Sequence, residues 1–466
     1  MKTPVYLLST LSIIFVLCIP LVATQSATAN GCITHSASAD GSQAHPFLIE
    51  NAHNLNCLFI NSVDYWSGNT VTNTPYYFRQ TANIDLAAYS PYSNGIGDVN
   101  VPFYGTYDGG GFDITGLSLS GNAPLKGMFG NIASGSVITD AHLVDAAILV
   151  PGIDNFNNAG LLAGASEGSI TKSSASGTIT ITSTDSASAI GGLVGGSLNG
   201  SISKSSADVV ISITGNSDVF DVGGLVGNVD GTTMTEVQST GTISTSGTHN
   251  GVADIGGIVG LFLNGSLSNS WSSTSIDSQG SNIARYFGEI AGNAALVSIS
   301  NVYSVGAISI STANGGGTYG AIIGRVTDDT TVSNSFWNSE TLGSQVSAVG
   351  ATTHGILTMS NTQALATTQL RQFTTYATTQ YLSVPWSILN GSFHTPTTIW
   401  GICNNSGYPF LTVLSPSDLC PASEPLEPTL ANTGKASNPL FVESVLVLFI
   451  GVFLLIFRKR IHRSIK

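Results

Sequence analysis

Gly191-Gly192-Leu193-Val194-Gly195 is one member of a series. Lys126-Gly127-Met128-Phe129-Gly130 and Gly160-Leu161-Leu162-Ala163-Gly164 precede it. Gly223-Gly224-Leu225-Val226-Gly227 and Gly256-Gly257-Ile258-Val259-Gly260 follow, then the weaker copies Gly288-Glu289-Ile290-Ala291-Gly292 and Gly320-Ala321-Ile322-Ile323-Gly324. The closing glycines are separated by 31 to 34 residues. Two other columns keep that step: Ile170, Ile202, Met234, Leu267, Ile299 and Val332; and Ile179, Ile211, Ile243, Ile276 and Ile308. Around each, apolar and small polar residues alternate with period two, the pattern of half-buried strands.

A unit of three short strands cannot bury its own apolar face, so neighbouring units must stack. Parallel stacking sets like residues above like at ~4.8 Å, and seven coils then give a shaft of about 34 Å. Propeller blades are usually ~40 residues or longer; the shorter period favours a β-solenoid. The expected fold is all-β, a parallel β-helix of about seven coils of ~32 residues, with a small N-terminal cap helix, a C-terminal cap and one C-terminal transmembrane helix. Asn51 to Val63, with Ala52, Leu55, Leu58, Phe59 and Val63 on one face, supplies the cap helix.

The G-G-[LI]-V-G cores, each followed by a Ser/Asn-rich strand, resemble the GLUG motif of bacterial surface proteins with a filamentous-haemagglutinin-like β-helix. Flanking segments resemble the same proteins: His45-Pro46-Phe47-Leu48-Ile49, Phe103-Tyr104-Gly105-Thr106-Tyr107-Asp108-Gly109-Gly110, Ser335-Phe336-Trp337, and Trp400-Gly401-Ile402-Cys403 through Leu411. The resemblance implies a right-handed helix.

The composition agrees with an exported, folded chain. Of 466 residues 42% are hydrophobic and 9% charged, and the 53 glycines do not recur every third position, which excludes collagen. The mean hydropathy of +0.26 argues against disorder. Gly31 to Thr433 carries 7 Lys/Arg against 26 Asp/Glu, the wrong sign for a phosphate backbone, so no nucleic-acid partner is expected.

Residues 1–29 read as a signal peptide: Lys2, an apolar Leu7 to Val22, and Ala27-Thr28-Ala29 as cleavage site. Residues 30–120 are assigned to the N-terminal cap and first coils, 121–345 to the GLUG-type coils and 346–420 to the C-terminal cap. A Pro-containing linker and the pentapeptide Leu430-Ala431-Asn432-Thr433-Gly434 occupy 421–434, an apolar membrane helix 435–457 and a basic tail 458–466. Pentapeptide, helix and tail together resemble the LPXTG-like (LAxTG) cell-wall sorting signal of Gram-positive surface proteins, with Ala431 in place of the commonest proline. That resemblance implies sortase as processing enzyme and peptidoglycan as the acceptor of Thr433. A plain membrane anchor is the alternative; both place the ectodomain outside the cell.

Of the four cysteines after the signal, none has zinc-site spacing, and an exported chain with an even count suggests two disulfides. Partners need Cα atoms within ~7 Å, and the caps lie at opposite ends of the shaft, so Cys32 pairs with Cys57 and Cys403 with Cys420.

No catalytic set stands out. Some proteins with this repeat carry a zinc endopeptidase that cleaves immunoglobulin A; the HExxH it needs is missing from the eight histidines. A glycosidase needs two carboxylates about 5–10 Å apart. Asp221 and Asp254 each stand six residues before a closing glycine and should stack, but Ala189 and Tyr286 end that file. These two read as solvated surface residues, as do Lys172 and Lys204, a pair 32 residues apart expected to stack on a strand face, while Asp328-Asp329 reads as turn chemistry. Trp271 and Tyr303 share a column, with Trp337 nearby, giving either a structural ladder or a sugar-binding platform. No enzyme activity, metal or cofactor is expected. The reading is a surface-displayed adhesin or cell-contact protein with an unknown glycan or protein ligand; a polysaccharide lyase or hydrolase and a structural envelope layer are the alternatives.

Overall fold

The computed structural model describes residue 32 and residues 40–420, apart from 61–64, 69–73, 154–155, 184–185, 216–217, 248–252, 280–284, 311–316, 344–345, 392–396 and 416–418. The chain winds as a parallel β-solenoid of about eight turns. One turn illustrates the rest: Val194–Leu198, then Ser201–Gly215, then Asp218–Gly223, lying in three different sheets. The glycine-flanked strands form an eight-stranded sheet from Phe129–Ile132 to Val349–Thr352, and the third-face strands a six-stranded sheet. The long middle strands belong to an 18-stranded sheet.

Register follows the sequence period. Ile138, Ile170, Ile202, Met234, Leu267, Ile299 and Val332 pair in succession and are all buried. Ile148, Ile179, Ile211, Ile243, Ile276 and Ile308 form a second file. Because alternation has period two, a one-residue slip would turn either file to water.

The closing glycine has a steric cause. A Cβ on Gly195 would come within 2.7 Å of the Ala159 nitrogen and 2.8 Å of the Ala189 oxygen, both on third-face strands. The first and third faces therefore meet backbone to backbone, which no side chain permits.

At the bend of each middle strand stands a residue in the left-handed region: Asp140, Lys172, Lys204, Glu236, Asn269, Asn301, Asn334 and Asn361, with φ between 49° and 54°. Lys172 and Lys204 thus occupy corners, not a strand face; what the column shares is backbone conformation. Among residues with a side chain asparagine is favoured in this region, and two adjacent pairs also bond side chain to side chain, Asn301 Nδ2 to Asn269 Oδ1 at 3.2 Å and Asn361 Nδ2 to Asn334 Oδ1 at 3.0 Å. After several corners comes a buried serine whose hydroxyl donates to the carbonyl two residues back, as Ser173 to Thr171, Ser205 to Ser203, Ser270 to Ser268 and Ser335 to Ser333. The Ser-rich composition thereby satisfies carbonyls that the bend exposes to a dry interior.

The N-terminal helix runs Ala52–Ile60 and buries Leu55, Cys57, Leu58 and Phe59 beside the first strand, Phe47–Ile49. Cys32 is bonded to Cys57, and Cys403 to Cys420.

Two expectations are corrected at the other end. Val349–Thr352 and Leu357–Leu365 pair with Ile323–Val326 and Thr330–Asn338, so an eighth turn extends into the segment assigned to the cap. Its period is short, Gly350 following Gly324 by only 26 residues; the short helix Ser339–Leu342 follows the middle strand Thr330–Asn338 of the turn before it. The remaining part, from Thr367 on, packs against the outer side of the middle-strand sheet and is a lateral clasp. The sorting pentapeptide, the signal peptide and the membrane segment lie outside the described residues. Among the described residues no helix is long and apolar enough to cross a membrane.

Candidate binding surface

The stacked acids sit where the first and third faces meet. Asp254 accepts hydrogen bonds from Arg325 at 3.1 and 3.2 Å and from Asn293 at 3.1 Å. Asp221 accepts from Asn228 at 3.0 Å. The Arg325 guanidinium also lies 4.1 Å over the Tyr286 ring, the residue beside Asp254 on the next turn. Burial, and then the charge of Asp254, push Asp221 up to about 6, against the opposing pull of Asn228 and Arg325. Burial also raises Asp254, with Arg325 and Asn293 opposing. The acidic file stops at two because its next position supplies a ring for the cation that neutralises it.

Removing that cation has a calculable consequence. Arg325→Ala leaves Asp254 buried beside a second carboxyl, and a buried charge stripped of its partner typically costs ~3–5 kcal/mol. The expected loss in urea unfolding at pH 7 is roughly 3 kcal/mol, and it shrinks as pH falls and the two acids take up protons.

The aromatic column divides. Trp271 stacks on Tyr303 with ring centroids 5.7 Å apart and 3° between planes, and its Nε1 donates to Gln238 Oε1 at 3.1 Å. Tyr303 pairs with Phe336, not with Trp337. Tyr303 and Phe336 are buried under the clasp against Tyr376, Trp386 and Trp400, and the Tyr303 hydroxyl donates to the Pro409 carbonyl. Trp337 alternates to the opposite face and joins the interior core. Of the three residues considered for ligand contact, Trp271 alone is half-exposed. The ladder's role in this structure is to seat the clasp.

Asp328 and Asp329 serve a turn, accepting from the backbone nitrogens of Asp329 and Ile356. Among the described residues, one group of candidate metal ligands converges, Cys32, His53 and Cys57, and its two sulfurs are bonded to each other.

Sequence reasoning missed Glu289. It holds the second motif position, occupied by glycine in Gly192, Gly224 and Gly257, and its side chain is wholly buried. Neither oxygen makes a hydrogen bond of good geometry among the described residues. Burial pushes its carboxyl well above the usual range, the nearby Gly306 amide and Ser272 hydroxyl opposing. The signal was present as the one acidic interruption of a glycine column.

With this geometry in place, comparison with known proteins places the repeat. Residues 186–214 match the GLUG motif. That span covers the third-face strand, the glycine pentapeptide and most of the long middle strand of one turn. No curated protein matches the chain. Among solved structures, a candidate immunoglobulin A1 protease from Bacteroides ovatus is similar at 18% identity and a TM-score of 0.45, over 61% of this chain and 86% of that one.

Proposed function

We propose that the protein is a non-enzymatic surface binding protein, an adhesin or cell-contact protein, displayed on its solenoid and fastened to peptidoglycan by sortase at Leu430–Gly434. The observation that carries this reading is the state of the Asp221 and Asp254 pair. The two carboxylates, on neighbouring third-face strands, are engaged by Asn228, Asn293 and Arg325. They brace a corner of the shaft. Extended solenoid faces suit binding, although fold alone does not establish function.

A second reading has one specific support. A carboxyl raised to about 6 beside a second carboxylate is the electrostatic arrangement of a general acid, so a polysaccharide hydrolase or lyase is the alternative. Incubating the full chain with a panel of glycans and with host and bacterial cells separates the two. Saturable binding without turnover supports the adhesin. Turnover abolished by Asp221→Asn would establish the enzyme.

A further inference from the structure

Charge is distributed unevenly along the chain. Between Asp40 and Glu340 there are 23 carboxylates and six Lys/Arg; between Thr341 and Ser417 there is no carboxylate and one cation, Arg371. Arg371 is itself engaged, 4.9 Å over the Tyr408 ring. The terminal turn and the clasp thus form an end with a single charge, free of carboxylates, on an acidic shaft.

Within that end a cleft of about 740 Å³ opens between Asn361–Gln363 of the last middle strand and Thr379–Ser383 of the clasp. Its lining carries no charge: three amides, four hydroxyls, counting the tyrosine's, and one leucine. Asn361 uses both N–H groups on Asn334 Oδ1 at 3.0 Å and Ser383 Oγ at 3.1 Å, leaving its carbonyl as an acceptor. The Tyr381 hydroxyl accepts from Gln369 Nε2 at 3.1 Å and retains its proton to donate. The side-chain amides of Gln363 and Gln380 make no hydrogen bond among the described residues. Each presents a donor and an acceptor side by side, the complement of neighbouring hydroxyls on a pyranose ring. Tyr381, half-buried, adds an aromatic surface for sugar C–H groups.

We infer that this cleft is a binding site for uncharged oligosaccharide, with Gln363, Gln380 and Tyr381 as its contacting residues. The inference rests on the binding-protein reading and names its ligand class. A charged ligand finds no counter-charge here, and an anionic polymer is further repelled by the shaft. Hydroxyl-rich neutral chains match the unspent amides, and a cleft of this size falls within the ~300–1,000 Å³ of ordinary ligand sites.

The test is an array of neutral gluco-, manno-, galacto- and N-acetylglucosamine oligosaccharides beside sialylated and sulfated ones, probed with the full chain in mild detergent. Neutral glycans should bind, and the double variant Gln363→Ala/Gln380→Ala should bind at least tenfold more weakly with unchanged circular dichroism. Unaltered binding by the variant, or preference for anionic glycans, overturns the cleft assignment. Binding to cells that survives enzymatic deglycosylation overturns the ligand class while the surface-binding reading stands; failure to bind glycans and cells alike overturns both.

Discussion

Glu289→Gln is expected to raise the melting temperature at neutral pH and to flatten its dependence on pH. In the fold, burial holds this carboxyl protonated well above its ordinary range; in the unfolded chain it ionises near 4.5. The folded state therefore binds more protons than the unfolded one, and stability falls as pH rises above that value. Asp221, pushed up to about 6, and Asp254, also raised, act with the same sign. The wild-type protein should be most stable near pH 4 and lose stability from there to pH 7.5. Glutamine keeps the shape and cannot ionise. The gain at pH 7.5 comes from removing the cost of keeping this carboxyl protonated in the fold, at most ~1.4 kcal/mol for each pH unit above its unfolded-state value. Glu289→Ala is the companion variant, since the next turn carries Ala321 at this position. A wild-type melting temperature that rises from pH 4 to 7.5 would contradict the assignment of a neutral Glu289.

Gly195→Val is expected to have the opposite and larger effect. Its Cβ would meet backbone atoms of two third-face strands and of Gly164, none of which can swing away as a side-chain end does. Either the first and third faces separate, opening the interior at the middle of the stack, or the strand leaves its sheet. A loss of more than ~4 kcal/mol follows from such backbone displacement in a packed core, read by urea unfolding or by failure to accumulate. Gly196→Val is the control: the nearest atoms to a Cβ there belong to the Asn158 side chain, no closer than 3.3 Å. Equal tolerance of the two valines would remove the steric account of the closing glycine.

The winding was legible because a solenoid interior demands the same residue class at each level, as in the Ile170 and Ile179 files. The local disulfides followed from keeping the two ends apart. What escaped was conserved in geometry and varied in chemistry. The corner column runs through aspartate, lysine, glutamate and asparagine, so Lys172 and Lys204 looked like a charge pair although they share only φ near 50°. The eighth turn escaped because its period shortens. Trp337 stands one position past the ladder column, and alternation sends it inward while Phe336 faces the clasp. The clasp itself obeys no period: Tyr376, Trp386 and Trp400 converge on Tyr303 and Phe336 only through long-range packing. The cleft it forms with the last turn was therefore invisible in the sequence.

Distances along one outward file test the stacking most directly. Leu149, Thr180, Ser212, Ser244, Asp277 and Ser309 pair in succession on the middle-strand sheet. Spin labels on Leu149 paired in turn with labels on Ser244, Asp277 and Ser309 should give separations growing by ~4.8 Å per turn, near 14, 19 and 24 Å before label length is added. Separations that stay constant, shrink, or grow without regard to the thirty-odd-residue step would contradict a chain wound one turn per repeat.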